Sequence, residues 1–245
     1  MDMEKKIERL KSILEDSSYT VIITGSGMMS EGGYQGLKTP ERAYETEKKY
    51  SLSPEDLFTT IFYNNRTAQF FDFYRSQVLE NQPQVTESSY VLARMEQAGK
   101  LQCIIDSNIY ELPQKGGCKN VISLHGSIYK NKCPHCGREY PMEYIRDSKK
   151  IPRCESCGRV IRPGVMLFGE TMDSSLMSEA TRQIERADVL LLLGTGMNSE
   201  VFSKYVRYFH GKKLVIIHKE SKLLDEKADL VILEEPKNIL PKLGY

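Results

Sequence analysis

Four cysteines occur as two pairs with the spacing of a metal site. Cys133 and Cys136 form one Cys-x-x-Cys pair, and Cys154 and Cys157 form a second pair after a spacer of 17 residues. Each pair turns two thiolates toward one point, and two pairs complete the tetrahedral sulfur set that Zn2+ prefers. Four protein ligands leave no open position for a substrate. The spacing therefore predicts a structural zinc module, with the chemistry of the protein elsewhere.

The nearest residue suited to acid–base chemistry is His125, eight residues before the first cysteine. It follows an apolar, strand-like run ending at Leu124 and precedes Gly126. An imidazole has an unperturbed pKa of roughly 6.5, so it can accept a proton near neutral pH. A histidine at a strand end can also serve only as a hydrogen-bond partner of the local structure. Its position alone leaves both roles open.

Two glycine turns follow strand-like runs and suit a phosphate group. One occupies residues 25–27 (Gly-Ser-Gly), and the other consists of Gly194 and Thr195. In a doubly wound fold, glycines at the mouth of a helix let backbone amides approach a pyrophosphate. The first turn lacks the third glycine of the usual fingerprint, so on its own it is weak evidence for a dinucleotide site.

The segments between these residues alternate between strands and helices. An amphipathic helix opens the chain, with apolar residues at helical spacing at Ile7, Leu10, Ile13 and Leu14. Apolar or β-branched runs predict strands at residues 19–24, 101–105, 120–124, 188–193, 213–217 and 228–233. This alternation predicts an α/β fold, a doubly wound, Rossmann-like parallel sheet covered on both faces. Ligands bind at the carboxyl ends of the strands in such sheets.

A second, smaller domain is expected beside the sheet. Residues 1–33, 81–128 and 162–245 are assigned to the Rossmann-like domain. A helical module at residues 34–80 and the zinc module at residues 129–161 make up the smaller domain. The helical module contains many aromatic residues, which are expected to form a core.

The overall composition excludes several classes of protein. The 245 residues are 40% hydrophobic and 27% charged, with a formal net charge of +1. This balance gives no long-range attraction for nucleic acid or an anionic membrane. The longest apolar runs are strand-sized, so no membrane-spanning segment is expected. Cys103 and Cys118 lie outside the zinc set and are interpreted as inert thiols in a reducing, cytoplasmic compartment.

The zinc segment itself is locally basic, which raises nucleic-acid binding as a further interpretation. The segment lacks the interleaved aromatic residues of a base-stacking platform, so this interpretation is disfavoured. A solvated basic face explains the same composition. The basic residues are Lys130, Lys132, Arg138, Arg146, Lys149, Lys150, Arg153 and Arg159.

Taken in order, these features resemble the sirtuin family of NAD-dependent protein-lysine deacylases. The matching motifs are TGxG at 24–27, SNI at 107–109, LHG at 124–126, RPxVxxFGE at 162–170 and LGT at 193–195. The resemblance covers essentially the whole chain, which is identified as a divergent, bacterial-type member. It implies NAD+ as co-substrate between the sheet edge and the zinc-bearing domain. It also implies an acylated protein or peptide as partner.

The resemblance also implies a role for each matching residue. His125 corresponds to the general base for the ribose hydroxyls, and Asn108 to the asparagine that contacts the nicotinamide ribose. The residues that correspond to NAD-binding positions are Gly25, Ser26, Gly27, Ser30, Ile109, Gly194, Thr195 and His218. Val165, Met166 and Phe168 would flank the acyl-lysine, with the substrate backbone added to theirs as a strand.

The chain departs from the family where nicotinamide would bind. Residues 35–39 (Gln-Gly-Leu-Lys-Thr) replace the family's PDFRG, and Lys38 lacks the planar fork of the arginine. Tyr110 replaces the aspartate that accepts a hydrogen bond from the carboxamide, which removes a main recognition element. Further departures are Met29 and Pro113 and, on the adenosine side, Gly196 and His218.

Two interpretations therefore compete. In the first, the protein is an active deacylase, or an ADP-ribosyltransferase, with a rebuilt nicotinamide pocket. In the second, it is a pseudo-sirtuin that binds a nucleotide or an acylated peptide without turnover. The presence of His125 and Asn108 favours the enzyme, whereas Lys38 and Tyr110 favour the binding module. The sequence-based prediction is the NAD-dependent deacylase, because a purely structural role gives no reason for His125 at the strand end.

Overall fold

The computed structural model describes residues 2–245, which divide into two compact units. The larger unit contains the chain up to residue 33 together with 84–124 and 173–245, and the smaller contains 34–83 and 125–172. This division assigns 81–83, 125–128 and 162–172 to the smaller unit, whereas the sequence analysis grouped them with the larger domain. The reason is local pairing, because Gly126 bridges Val165 and Lys132 bridges Arg162 in antiparallel fashion.

A six-stranded parallel sheet forms the centre of the larger unit, and its strand order is β3-β2-β1-β6-β7-β8. The order reverses between β1 and β6, as in a doubly wound fold. The predicted fold class is thus confirmed. Every residue of β1, β2 and β6 is buried, which explains their mainly apolar sequences. The strands are β1 Thr20–Thr24, β2 Cys103–Asp106, β3 Val121–Ser123, β4 Asn131–Lys132, β5 Glu139–Tyr140, β6 Val189–Leu193, β7 Lys213–His218 and β8 Leu230–Leu233.

Helices of the larger unit bury one apolar face each. The first helix, α1 (Met3–Glu15), is capped by Asp2, whose carboxylate accepts a hydrogen bond from the Lys5 amide at 2.9 Å. It buries Ile7, Leu10, Ile13 and Leu14, as its spacing predicted. The others are α2 Ser26–Glu31, α7 Glu87–Gln97, α8 Leu112–Gly116, α10 Ser174–Arg186, α11 Ser203–Val206 and α12 Pro236–Ile239, with 3-10 turns at Asp225–Lys227 and Leu240–Leu243.

The smaller unit combines an aromatic helical module with the cysteine-bearing segment. The aromatic core is confirmed, because Phe70, Phe71, Phe73 and Tyr74 have no exposed surface. The cysteine-bearing segment contains the antiparallel pair β4 and β5. Its helices are α3 Pro40–Tyr50, α4 Pro54–Leu57, α5 Thr60–Asn65, α6 Thr67–Phe73 with a π-helical continuation at Tyr74–Leu79, and α9 Met142–Arg146. In residues 2–245, no helix combines the length and apolar character that a bilayer crossing requires.

Candidate active site and four-cysteine cluster

The two predicted glycine turns contact each other directly at the carboxyl edge of the sheet. The Gly27 amide donates to the Gly194 carbonyl at 2.9 Å, and the Gly25 amide donates to the Leu193 carbonyl at 2.9 Å. A Cβ atom on Gly27 would lie 2.5 Å from the Cα of Gly194. Gly194 itself has a φ of 62°, a conformation that favours glycine. Both turns therefore need glycine because backbone packs on backbone.

A cavity of about 290 Å³ opens beside these turns. It contains five of the residues predicted to bind NAD, while Thr195 is buried next to Gly25. The cavity lies where β1, β6 and β7 end, at the edge where doubly wound sheets bind ligands. Its lining residues are Ser26, Gly27, Ser30, Gly194, His218, Lys219, Glu220, Lys222, Glu235 and Pro236.

His218 lines this cavity and is held by a carboxylate that the sequence analysis did not single out. Its Nε2 lies 2.8 Å from Oδ2 of Asp225, and that oxygen also accepts the Lys222 amide at 2.8 Å. His218 is buried, and its Nδ1 has no hydrogen-bond partner within residues 2–245. Of the two tautomers of the imidazole, the carboxylate selects the one that carries its hydrogen on Nε2, which leaves Nδ1 as an acceptor. Such an acceptor suits a hydroxyl group of a ligand.

Asn108 belongs to a second buried network, which includes the unpredicted Asp106. One oxygen of Asp106, Oδ1, accepts hydrogen bonds from the Thr24 hydroxyl at 2.8 Å, the Asn108 amide at 3.0 Å and Asn108 Nδ2 at 2.8 Å. Asn108 Nδ2 also donates to the Gly25 carbonyl at 3.1 Å. Burial raises the pKa of Asp106 to about 7. Ile109, the neighbouring predicted NAD residue, is half-buried.

The positions that depart from the family are packed into the surrounding structure. Tyr110 is 1% exposed, so a fully buried ring stands at the position matched to the carboxamide acceptor. Pro113 lies in the first turn of α8, and Met29 is half-buried in α2. A Cβ atom on Gly196 would lie 3.1 Å from Cδ of Lys222, so the lysine stem uses the space that a serine would need.

The 35–39 segment is tied down within the smaller unit. Arg42 donates to the carbonyls of Gln35 and Gln77, and its guanidinium lies 5.5 Å from the centre of the Tyr34 ring. Lys38 instead forms an ion pair with Glu55 at 3.2 Å. The segment is therefore held by Arg42, a residue that the sequence analysis did not assign.

His125 lies beside two of the three predicted substrate residues. Its carbonyl accepts the Met166 amide at 2.9 Å, next to the bridge between Gly126 and Val165. Gly126 has a φ of 74°, and a Cβ atom there would lie 2.1 Å from the Gly164 carbonyl oxygen. The glycine of the LHG motif thus allows the chain after His125 to pair closely with this segment.

Phe168 differs from the expectation that its backbone would pair with a substrate. Its amide donates to the Phe58 carbonyl at 3.0 Å, and its carbonyl accepts the Thr60 amide at 3.0 Å. Both backbone groups are therefore already used, and strand addition at Phe168 has no free partner. The ring is 50% exposed and stays available for side-chain contact.

The four cysteines converge as predicted. Their sulfur atoms all lie within 4.8 Å of one another, with 3.4 Å between Cys133 and Cys157 and 3.5 Å between Cys136 and Cys154. Thiolates about 2.3 Å from Zn2+ would be about 3.8 Å apart at tetrahedral geometry, so the cluster fits this ion. The Tyr140 hydroxyl donates to the Cys154 sulfur at 3.2 Å, which lowers the pKa of that thiol to about 6.

The two remaining cysteines lie in the larger unit, outside this cluster. Burial raises the pKa of Cys103 and of Cys118 to about 12. Thiols with such pKa values carry almost no thiolate at neutral pH and are poor nucleophiles. This agrees with the prediction of inert thiols.

Comparisons with known proteins place the chain in a family. The model of the Sir2 family matches residues 25–201. A Clostridium acetobutylicum protein named NAD-dependent protein deacetylase is 36% identical over 236 residues, covering 96% of each chain. A Clostridium tetani protein of the same name is 34% identical over 250 residues, covering all of both chains.

Solved structures show the same relationship. A structure described as "The Structural basis of Sirtuin Substrate Affinity" has a TM-score of 0.87 at 25% identity, covering 100% of this chain and 98% of that one. Another, "Sir2-p53 peptide-NAD+", has a TM-score of 0.81 at 25% identity, covering 99% and 97%. These matches extend over both units and include the residues that carry the sequence resemblance. The chain belongs to the Sir2 family, the sirtuins.

Proposed function

We propose that this protein is an NAD-dependent protein-lysine deacylase that moves an acyl group from lysine to ADP-ribose and releases nicotinamide. The observation that carries the proposal is the cavity at the sheet edge, where the residues matched to NAD-binding positions converge. The names of the relatives support the same activity, and two related structures are described as bound to an acylated peptide.

In this proposal the chain holds the nucleotide through backbone and neutral polar groups. The turn at 25–27 and Gly194 receive the pyrophosphate, because their close packing leaves no side chain in the way. Nδ1 of His218 accepts a hydrogen bond from a hydroxyl of the adenosine ribose. Bound NAD+ supplies a ribose carbon that the acyl oxygen attacks as nicotinamide leaves.

His125 acts as the general base for the ribose hydroxyls in the proposed reaction. A half-buried imidazole can take a proton near neutral pH and return it later. Val165 and Met166, paired with the chain at His125, flank the acyl-lysine. The exposed ring of Phe168 adds an apolar contact for the lysine stem.

The four-cysteine cluster is proposed to hold Zn2+ in a structural role. Cys133, Cys136, Cys154 and Cys157 supply all four ligands, so no position is open for substrate. Bound metal would join the two Cys-x-x-Cys turns and fix the smaller unit. The cytoplasmic location suggested by cysteine usage stays a prediction.

One observation favours a second candidate, a sirtuin fold that binds a nucleotide or an acylated peptide without turnover. Tyr110 is buried where the family carries the carboxamide acceptor, so the main contact to the leaving group is replaced by an aromatic ring. ADP-ribosyl transfer to a protein is the other reaction open to the same nucleotide site.

The deciding experiment measures nicotinamide release from NAD+ with a panel of acylated peptides. The variants are His125→Ala and, as a matched control, His210→Ala, an exposed histidine outside the cavity. We expect release that needs both peptide and His125 and is unchanged by the control. Peptide-independent release with labelling of protein would indicate ADP-ribosyl transfer. Binding of NAD+ without release would establish the non-catalytic alternative.

A further inference from the structure

A buried carboxylate at the end of β2 has an unequal set of contacts. Asp106 has no exposed surface, and its Oδ1 accepts all three hydrogen bonds, from Thr24 and from two groups of Asn108. Its Oδ2 has no hydrogen-bond partner within residues 2–245. Burying a carboxylate costs free energy unless its contacts compensate. Two of the three contacts serve one residue, Asn108.

The hydrogen bonds fix which end of the Asn108 side chain is available. Nδ2 carries two hydrogens, and it donates one to the Gly25 carbonyl and one to Asp106 Oδ1. The opposite orientation would place the amide oxygen against two acceptors, the Gly25 carbonyl and Asp106 Oδ1. The observed orientation is therefore the one in which both acceptors receive a hydrogen bond. The amide oxygen accepts no hydrogen bond from the described part of the chain.

We propose that Asp106 is a positioning residue, which locks the Asn108 amide so that its oxygen, rather than its nitrogen, faces the ribose of the nucleotide. The inference rests on the proposed function, because the ribose contact of Asn108 is implied by the sirtuin resemblance on which that function is based. An acceptor matches a ribose hydroxyl, which can donate. Without Asp106, the amide keeps only the Gly25 carbonyl as a partner and gains rotational freedom that binding must then remove.

Because Asp106 would act only through Asn108, a double-mutant cycle tests the proposal. We expect Asp106→Ala to slow nicotinamide release about 10- to 100-fold in the wild-type background, as misplaced groups do. In the Asn108→Ala background, the same change should cause no further loss. Asp106→Asn retains an oxygen that can accept all three hydrogen bonds, so it should lose less than Asp106→Ala. An equal fold-loss in both backgrounds, or no loss at all, would overturn the proposal.

Thr20→Ala serves as the matched control for stability. Thr20 is 1% exposed at the opposite end of β1, and its hydroxyl bonds Ser17 at 2.8 Å. We expect Thr20→Ala to lower the melting temperature about as much as Asp106→Ala does. Its rate of nicotinamide release should nevertheless equal that of the wild type. If the control slows release as much as Asp106→Ala, the effect comes from stability, and the positioning role is wrong.

A measurement on the free protein separates this proposal from the proposed function. The side-chain amide protons of Asn108 should exchange with water more slowly in the wild type than in Asp106→Ala, as NMR can detect. Equal exchange rates would contradict the locked amide, whatever the enzyme does. The wild type could also show slow exchange and yet neither bind NAD+ nor release nicotinamide. In that case Asp106 fixes the Asn108 amide, but the amide has no role in nucleotide binding.

Discussion

The four-cysteine cluster and the paired glycine turns are built on opposite principles. In the cluster, side chains from two separate turns meet at one point, and their thiols have few contacts other than one another and Tyr140. In the glycine turns, backbone meets backbone, and side chains are excluded because an added Cβ atom would lie as close as 2.5 Å to the facing backbone. The first arrangement would be joined by a bound ion, as proposed above, whereas the second is held by its own backbone contacts.

This difference separates two ways of preparing a binding site. Thiolates that share one centre repel each other until a cation neutralises them, so the cluster is expected to depend on the proposed metal. The glycine turns are aligned by the parallel pairing of β1 and β6, with Thr24 opposite Leu193. Their geometry is therefore fixed by folding. The following changes test the contrast, beginning with the largest expected effect.

Loss of the metal should unfold the cysteine-bearing part of the smaller unit. Structural zinc contributes about 10–16 kcal/mol in zinc-finger peptides, far more than one side-chain contact. We expect one Zn2+ per chain by elemental analysis, with a large drop in melting temperature after chelation or in Cys154→Ser. Cys103→Ala, a buried cysteine outside the cluster, should retain the metal. Unchanged stability after metal removal would contradict a structural role.

A methyl group on Gly27 should separate the paired glycine turns. In Gly27→Ala, the new Cβ atom would lie 2.5 Å from the Gly194 Cα, and backbone cannot move aside as a flexible side chain can. We expect destabilisation of about 3 kcal/mol by urea unfolding, together with loss of NAD+ binding by calorimetry. Gly36→Ala is the control, because its nearest neighbour would be 4.0 Å away. Normal binding by Gly27→Ala would show that the turns can separate.

Asp106 should make the stability of the larger unit depend on pH. Its pKa is raised from 3.8 to about 7 by burial, so the folded state holds a proton that the unfolded state has released between these values. The stabilising contribution is therefore complete below about pH 4 and is lost as the pH rises to about 7. The difference amounts to a few kcal/mol. Urea unfolding should show that the free energy of unfolding declines less between pH 4 and pH 8 in Asp106→Asn than in the wild type. An identical decline in both proteins would mean that Asp106 does not titrate in this range.

The smallest expected effect concerns the hydrogen bond to a cysteine sulfur. Tyr140→Phe removes the donor to Cys154 and the acceptor of the Glu155 amide at 2.8 Å. Such outer contacts typically change metal affinity about 10-fold or more, so zinc transfer to a chromogenic chelator should be faster by about that factor. Tyr144→Phe is the control, because its hydroxyl donates to the Arg153 carbonyl and not to sulfur. Equal transfer rates in the two variants would assign no role to the Tyr140 hydroxyl.

The sequence predicted features that depend on residue type and local spacing. The Cys-x-x-Cys pairs predicted the cluster, and apolar runs predicted the six parallel strands. The contact between Gly27 and Gly194 was not predicted, because it depends on which strands are neighbours. Asp106 and Asp225 were missed for a related reason. In sequence, a carboxylate buried beneath a site looks like any acidic residue at the end of a strand or in a loop.

At Phe168 the sequence predicted a partner that the structure replaces with another segment of the chain. Its motif suggested an edge open to an added strand, but residues 58–60 already occupy that edge. Those residues are more than 100 positions earlier in the chain and carry no pattern that marks them as a strand. Local sequence could therefore identify the segment and not its neighbour. The unit boundary near residue 125 differs for the same reason, since it follows pairing with 162–165.

The contact between Gly27 and Gly194 also dictates when the cavity at the sheet edge can first exist during synthesis. Its two halves are separated by most of the chain, and they meet only after β6 has been made and has docked beside β1. Contacts between such distant segments form slowly, because closing the long loop between them costs chain entropy before the contacts can compensate. If the cavity binds the nucleotide as proposed, a growing polypeptide cannot bind it there until residue 194 has emerged from the ribosome. Binding would then report that the central sheet is assembled.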